Sequence, residues 1–593
     1  MSGQEETAWS ASSKDSKKLP KSSEKLASEP SNQPDPDPIV QAEDLPVNQE
    51  NLPYRESTIP PWRFAFLCVG LCLGLFMAMM DASIVATSLY TIGVEFNDLE
   101  HINWVALAYS LAFLGCSVFF ASMSDVIGRR NAFVVAFVLF FAFSLGCGFA
   151  HNMATLIACR TFQGIGGAGL FSVTMITFPE LTPKKLKGVI APLLGMIISF
   201  GGILGPVLGG VFTKYASWRW VFWLNGPLGF VSMLLFYAAW PKAEHLPTLQ
   251  QRSWRDLDFL GSFLVVAAAV LVTFAFQSAG TDVEANNPWI SGLFIGPLVT
   301  GSICWVGLFL WQHVFERTWP RKMAAIPLGL FRNHIFAAAA LHTVFLGFAY
   351  LAALYAIPLR LQVVNSKSPI MAGVMMLPML GATGVGSVLT GILSSKTNRL
   401  FETMTFGAVL VTLGLALEST VSDSQVLEQK FLGFLVLLGL GIGMINSAAT
   451  IFTTIEAPIP EHAPAQGIIA QSRMLGGSIG IAMSSAVLAG QQRAHLAGVV
   501  SLSDLQDLKE AEQRLTPAQL TAIRTAYNNA FTETMKVCAI VTGIGVLIAL
   551  GTYRHGRVPL GDQRAQQVKA EIERRRAERE LDVQGHRATR VVV

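Results

Sequence analysis

Residues 76–92 read FMAMMDASIVATSLYTI, an apolar run that carries a single acid, Asp81. The nearest charges on either side are Arg63 and Glu95. An ionised carboxylate at the depth of a hydrocarbon core costs several kcal/mol and usually faces a partner or a wetted cavity. What Asp81 does therefore depends on the solvent around this run.

The chain has 593 residues, 52% hydrophobic and 14% charged, with a mean hydropathy of +0.46. Soluble proteins carry about 25% charged residues. Charge collects in residues 1–60 and 553–593, and the interior is built from recurring apolar runs. Runs of roughly twenty residues match the helical length that crosses a ~30 Å bilayer core. Fourteen are expected, near 63–93, 102–121, 131–150, 153–179, 188–213, 219–240, 257–278, 290–312, 334–361, 369–393, 404–419, 431–456, 465–489 and 530–552. The fold class is an all-α membrane protein, with the lipid bilayer as its first partner.

This pattern divides the chain into a disordered polar tail (1–61), a six-helix bundle (62–240) and a linker with two extra spans and a basic loop (241–333). A second six-helix bundle (334–552) with an external loop at 491–529 follows, then a basic tail (553–593). The Ser/Pro-rich N-terminus lacks the apolar core of a signal peptide. Residues 563–580 (QRAQQVKAEIERRRAERE) are expected to form a solvated helix, with contact to anionic headgroups as the alternative. Short loops on the side of the chain ends hold fourteen Lys and Arg, among them Arg129, Arg130, Lys184, Lys185 and Arg399. Those on the other side hold five, so both termini are expected in the cytosol. The seven cysteines all fall in apolar runs, which argues against a disulfide framework and a zinc site. No metal site is expected.

Ser88 lies seven residues after Asp81, and Ser83, Thr87 and Thr91 form a neighbouring polar stripe. That face is expected to line an aqueous cavity in which the carboxylate exchanges a proton. Its expected counter-charge is Arg160, in CRTFQGIGGAGL, about 10 Å from the end of its helix at 1.5 Å per residue. Asp81 lies ~18 Å from the same side of the membrane, so long side chains span the difference. The alternative is a static ion pair that joins two helices.

Three further constellations stand out. In GGILGPVLGG, Gly201, Gly205 and Gly209 make one small-residue stripe, and Gly202, Pro206 and Gly210 a second. Such stripes let helices approach closely in lipid, and Pro206 removes a backbone hydrogen bond. In SDVIGRR, Asp125 is expected just ahead of the third helix, Gly128 in a tight turn, and Arg129 and Arg130 opposite carboxylates such as Glu180. Glu456 and Arg473, in QSRMLGGSIG, are expected to form a structural pair. Gln163 and Gln362 are further candidates for the substrate cavity. The two halves also echo each other: Pro179 and Gly188 recur as Pro458 and Gly467, as in transporters built from repeats.

Taken together, MDASIVATSLYTI, SDVIGRR, RTFQGIGGAGL, GGILGPVLGG, WRWVFWLNGP (218–227), IPLGLFRN (326–333), the stretch 355–378 and RMLGGSIG resemble the major facilitator superfamily. The resemblance is to its fourteen-spanner drug:proton antiporter branch, with the flavour of fungal toxin and multidrug efflux pumps, and covers roughly residues 60–555. It implies a proton-linked role for Asp81 and Arg160, a gate at Asp125, Arg129 and Arg130, and support of antiport by Gly205 and Pro206. Ala121 and Val126 depart from the family's loop pattern, which usually has glycine and a basic residue at those places.

No Gly-Lys dipeptide occurs, so there is no phosphate-binding loop for ATP. The expected function is proton-coupled export of a small amphipathic compound, with the proton as coupling ion and no other cofactor. The chain is expected to be a monomer in the plasma membrane, with no nucleic-acid partner and no enzymatic site. Vacuolar transport of basic amino acids or siderophores is the alternative within the class, and a non-transporting membrane sensor the alternative outside it.

Overall fold

A computed structural model describes residues 59–98, 102–182, 187–241, 254, 257–281, 288–319, 322, 324–496, 515–556 and 558–591. The polar tail up to residue 58, the linker stretch 242–253 and the middle of the expected external loop (497–514) lie outside the described residues.

The helices of the first half are α1 (Pro61–Ile84), α2 (Leu89–Phe96), α3 (Ile102–Ile127), α4 (Arg129–Gly148), α5 (Met153–Leu181), α6 (Lys187–Tyr215), α7 (Trp220–Trp223) and α8 (Asn225–Ala239). Next come the extra pair, α9 (Phe259–Thr281) and α10 (Gly292–Thr318). The second half comprises α11 (Gly329–Arg332), α12 (His334–Val363), α13 (Pro369–Val374), α14 (Leu377–Lys396), α15 (Leu400–Glu418), α16 (Gln429–Glu456), α17 (His462–Leu496) and α18 (Pro517–Leu550). A last helix, α19, runs over Leu560–Val591. Among the described residues, thirteen helical stretches are long and apolar enough to cross a bilayer. With α5, whose 29 residues pack along both α3 and α4, the count reaches the fourteen read from the sequence.

Side chains close the exposed ends of these helices. Asn152 accepts from Thr155 N at 2.7 Å at the start of α5, and Asn333 from Ile335 N at 3.0 Å at the start of α12. Thr516 and Gln519 form a reciprocal capping box on α18. The extra pair is not peripheral decoration: α9 lies against α3 of the first half and α17 of the second. Asp258 secures it, accepting from Gly261 N at 2.7 Å, Trp311 Nε1 at 2.8 Å and Gln312 Nε2 at 2.6 Å.

Two expectations are corrected here. The expected first helix (63–93) is not continuous, because α1 gives way to a 3-10 turn at Val85–Thr87 just after Asp81. Ser83 and Thr87 donate back to Met80 O (3.1 Å) and Ile84 O (3.3 Å), which competes with the regular ladder. The expected external loop 491–529 is also shorter, since α17 continues to Leu496 and α18 begins at Pro517.

Candidate functional site

Asp81 is fully buried in the first half, as are Arg160, Gln163 and Asn225. Arg160, from α5, forms an ion pair with Asp81 Oδ2. Asp81 Oδ1 accepts from Gln163 Nε2 at 3.0 Å and from Asn225 Nδ2 at 2.9 Å. Arg160 is itself held on all sides: Nε donates to Val105 O (3.1 Å), one amino group to Gln163 Oε1 (2.9 Å), the other to Asp81 O (3.4 Å). Its guanidinium lies 4.2 Å from the centre of the Tyr109 ring and 5.7 Å from that of Phe222. Asn225 continues the chain to Ser144 Oγ at 2.9 Å, and Ser144 donates to Phe222 O at 2.9 Å. The network ties α1, α3, α4, α5 and α8 together around one buried charge pair.

Such a pair in a dry site is stable only if its remaining hydrogen-bonding capacity is met, and here it is met by neutral side chains and carbonyls. Asn225, Tyr109 and Ser144 are not singled out by the sequence reading. A signal for Asn225 exists: it is the one amide in the apolar stretch 220–240.

The polar stripe beside Asp81 is corrected in role. Ser88 has no exposed surface and shares a 2.8 Å hydrogen bond with Thr213 of α6. Ser83 donates to Gly201 O (3.3 Å) and Thr87 to Pro206 O (3.2 Å). These hydroxyls therefore clasp α6 and do not face a cavity. They reach its backbone because Gly201, Gly205 and Gly209 present no side chains to α1. The second stripe faces elsewhere: a Cβ on Gly202 would stand 2.7 Å from the Tyr350 hydroxyl, in the second half. Pro206 and Gly210 lie buried on the same helix. Helix α6 thus touches α1 with one face and the second half with another.

Gln163 belongs to the Asp81 network, whereas Gln362 sits near the end of α12, half-buried and apart from it. An apolar groove of about 620 Å³ between α6 and α14, lined by Met196, Phe200, Leu380 and Val388 among others, contains none of Ser88, Gln163 and Gln362.

The loop after α3 is built differently from the expectation. Asp125 lies in the last turn of α3, not ahead of α4. A carboxylate there opposes the helix dipole, and Arg129 offsets it at 2.5 Å, four residues on. Gly128 joins the helices at φ +86°, a left-handed conformation in which a side chain is strained. Arg129 also grips Glu180 with a two-pronged contact at 2.9 and 3.1 Å. Arg130 instead lies 4.4 Å over the ring of Tyr237.

The expected pair of Glu456 and Arg473 does not form. Glu456 accepts from Arg554 (3.1 Å), Asn333 (2.8 Å) and Gln563 (3.1 Å). Arg473 lies eleven residues into α17, ~16 Å from the end near Glu456, and its Nε has no hydrogen-bond partner. Gln563 belongs to α19, whose Gln567 also donates to Ala457 O at 3.1 Å. The tail helix is therefore docked on α16 and not simply solvated.

On the opposite face, Glu95 lies in the last turn of α2 and accepts from Trp218 Nε1 (2.5 Å) and Arg219 (2.6 Å). Partial burial raises the Glu95 carboxyl, but the Trp218 and Arg219 contacts outweigh it and hold the group below its ordinary range. A depressed carboxyl adds stability above its unfolded pKa, and that stability is lost as pH falls through the folded one. The melting-point difference between the protein and its Glu95→Gln variant is therefore expected at pH 7 and should shrink as pH falls below the ordinary carboxylate range, vanishing once the folded group is protonated. The side chain is 42% exposed, so screening limits the effect to ~1 kcal/mol or less. A difference that persists unchanged in acid would show the contact to be uncoupled from folding.

Comparison with known proteins bears on this geometry. Residues 71–481 match the family model described as Major Facilitator Superfamily. The "MFS-type transporter FPY5" of Fusarium mangiferae is 27% identical, with 85% of this chain and 86% of that protein aligned. The "Efflux pump aflT" of Aspergillus parasiticus is 25% identical over 84% of this chain and 96% of its own length. Among solved structures, a bacterial homologue of the human lysosomal transporter Spinster, crystallised facing inward and unoccupied, superposes with a TM-score of 0.51. It is 14% identical, covering 83% of this chain and 98% of that one, and speaks to the fold.

Proposed function

The chain belongs to the Major Facilitator Superfamily, and from that premise we propose that it is a proton-driven exporter of small amphipathic compounds. The observation that carries this reading is the fully buried Asp81–Arg160 pair, a carboxylate and guanidinium held in a network drawn from five helices. The likeness to fungal efflux pumps supports the outward direction and a secondary-metabolite or drug-like cargo. The crowding of Lys and Arg on the face of the chain ends supports a cytosolic placement of that face. We place the protein in the plasma membrane as a monomer.

In the cycle, cargo enters between the halves from the cytosol or inner leaflet. Opening to the outside wets Asp81, and a proton on its carboxylate removes the charge that holds Arg160. Arg160 then falls back on Val105 O, Gln163 and the two aromatic faces. The change alters how α1 and α5 pack, and α6, clasped by α1 on one side and touching Tyr350 on the other, carries that change to the second half. Loss of the proton to the cytosol resets the pair.

One proton moving through 100 mV supplies ~2.3 kcal/mol, and each tenfold gradient of neutral cargo costs about 1.4 kcal/mol. Purified protein in liposomes under that proton-motive force should concentrate an accepted dye or antifungal roughly forty-fold. Proton flux should accompany it. Cargo movement indifferent to the imposed proton gradient would overturn the coupling.

A further inference from the structure

A second acid is buried in the other half, in a setting opposite to that of Asp81. Glu418, the last residue of α15, has no exposed surface. Neither of its carboxylate oxygens has a hydrogen-bond partner. The charged group whose field reaches it is Arg360 of α12, and Arg360 is committed elsewhere. It donates to Asn528 Oδ1 (3.2 Å), Asn365 Oδ1 (3.1 Å) and Ser422 O (2.8 Å). Its guanidinium is also 5.3 Å and 5.1 Å from the ring centres of Phe431 and Phe531.

Asn365 in turn donates to Ser424 O (3.2 Å) and Gln425 O (3.3 Å). The segment 419–428, which follows Glu418 directly, is thereby held by its carbonyls to Arg360 and Asn365 of the second half. Glu428 and Lys430, at the start of α16, pair with each other at 2.6 Å. Neither α14 nor α18 brings a charged group to bear on Glu418 among the described residues.

We propose that Glu418 is a second proton-binding site, occupied while segment 419–428 is closed and emptied to the outer medium when that segment lifts. An ionised carboxylate with no donor and no exposed surface costs several kcal/mol, whereas the neutral acid costs far less. Lifting the segment breaks the Arg360–Ser422 contact, admits water and frees a guanidinium to face the carboxylate. The Glu418 O–H bond then breaks, its proton passes to water, and the carboxylate that remains is paired by Arg360. The binding itself does not depend on the Asp81 cycle. Only its outward direction rests on the placement of the chain ends in the cytosol.

The test is infrared difference spectroscopy of the full-length protein in liposomes across a pH titration, with hydrogen exchange of residues 419–428 measured alongside. The wild type should show the carbonyl stretch of a protonated carboxylic acid that persists in Asp81→Asn and is lost in Glu418→Gln. In the wild type, the protection of 419–428, corrected for intrinsic exchange, should fall roughly tenfold per pH unit through the titration. In Glu418→Gln it should not change with pH. A band that survives in Glu418→Gln, or protection that ignores pH in the wild type, would overturn the assignment. Should the Gln variant not fold, Glu418→Asp decides: the band must shift, and an unshifted band refutes the site. Because neither readout uses cargo, failure here leaves the transport reading standing, and failure of transport leaves this one standing.

Discussion

Asp81→Asn is expected to leave a folded protein that no longer concentrates cargo against a gradient. In liposomes under 100 mV, accumulation should drop from roughly forty-fold to parity, and flux should lose its response to pH. Asparagine keeps an acceptor for Gln163 and Asn225 but turns an amide towards Arg160, which already donates to every neighbour. Removing one member of a buried ion pair typically costs 3–5 kcal/mol. The low end, ~3 kcal/mol, is expected here, because Arg160 retains Val105 O, Gln163 and two aromatic rings. A double variant, Asp81→Asn with Arg160→Gln, removes the stranded cation. It should recover most of the melting temperature and none of the coupling. That split separates a proton carrier from a static strut. If the double variant recovered gradient-driven export along with stability, the pair would be structural and the proton would load elsewhere. Wild-type accumulation in the single variant would lead to the same conclusion.

How much of the molecule is legible in its sequence follows from the kind of signal each feature leaves. The spans are legible because the bilayer imposes one length on all of them, so composition alone marks them. The Asp81–Arg160 pair is legible because two opposite charges stand in apolar runs at comparable depth. Neutral members of the same network leave a weaker trace: Asn225 and Tyr109 read as tolerable residues in a helix until the structure brings them to the pair. The Ser83–Ser88 stripe shows a different limit. Helical spacing puts the hydroxyls on one face, but the same pattern serves a wet cavity or a clasp on glycine backbone, and periodicity does not say which helix lies opposite. Pairing Glu456 with Arg473 requires α17 to begin near residue 465, and its earlier start at His462, together with the docked tail helix, changes both depth and partner. Glu418 leaves almost no signal. At the end of an apolar run it reads as an ordinary boundary charge, and only the packing of the folded chain shows it to be an interior acid.

The second large effect is expected at Gly205, because α6 is there in backbone contact with α1, the helix that carries Asp81. A Cβ at this position would stand 2.8 Å from Met80 O and 2.9 Å from Ile84 N, and would also strike the Ser83 hydroxyl. Two of those obstacles are main chain, which cannot swing aside as the end of a long side chain does. Overpacking a close contact costs 1–3 kcal/mol for added methyl groups, so Gly205→Ala should lower stability by about 2 kcal/mol and Gly205→Val by more. The functional loss should be larger than the stability loss suggests. Residues 80 and 84 bracket Asp81, and pushing α1 away from α6 moves the carboxylate relative to Arg160 while breaking the Ser83–Gly201 and Thr87–Pro206 bonds. A tenfold or greater fall in transport is expected for Gly205→Ala, equivalent to about 1.4 kcal/mol of misplacement. Gly296 is the control, since nothing lies within 4 Å of a Cβ built there: Gly296→Ala should match the wild type in both melting temperature and flux. If Gly205→Ala also matched it, the close packing of α6 on α1 would have no part in how the carrier turns over. If it lost stability but kept its flux, the glycines would serve assembly alone, and movement between the halves would have to run through another helix.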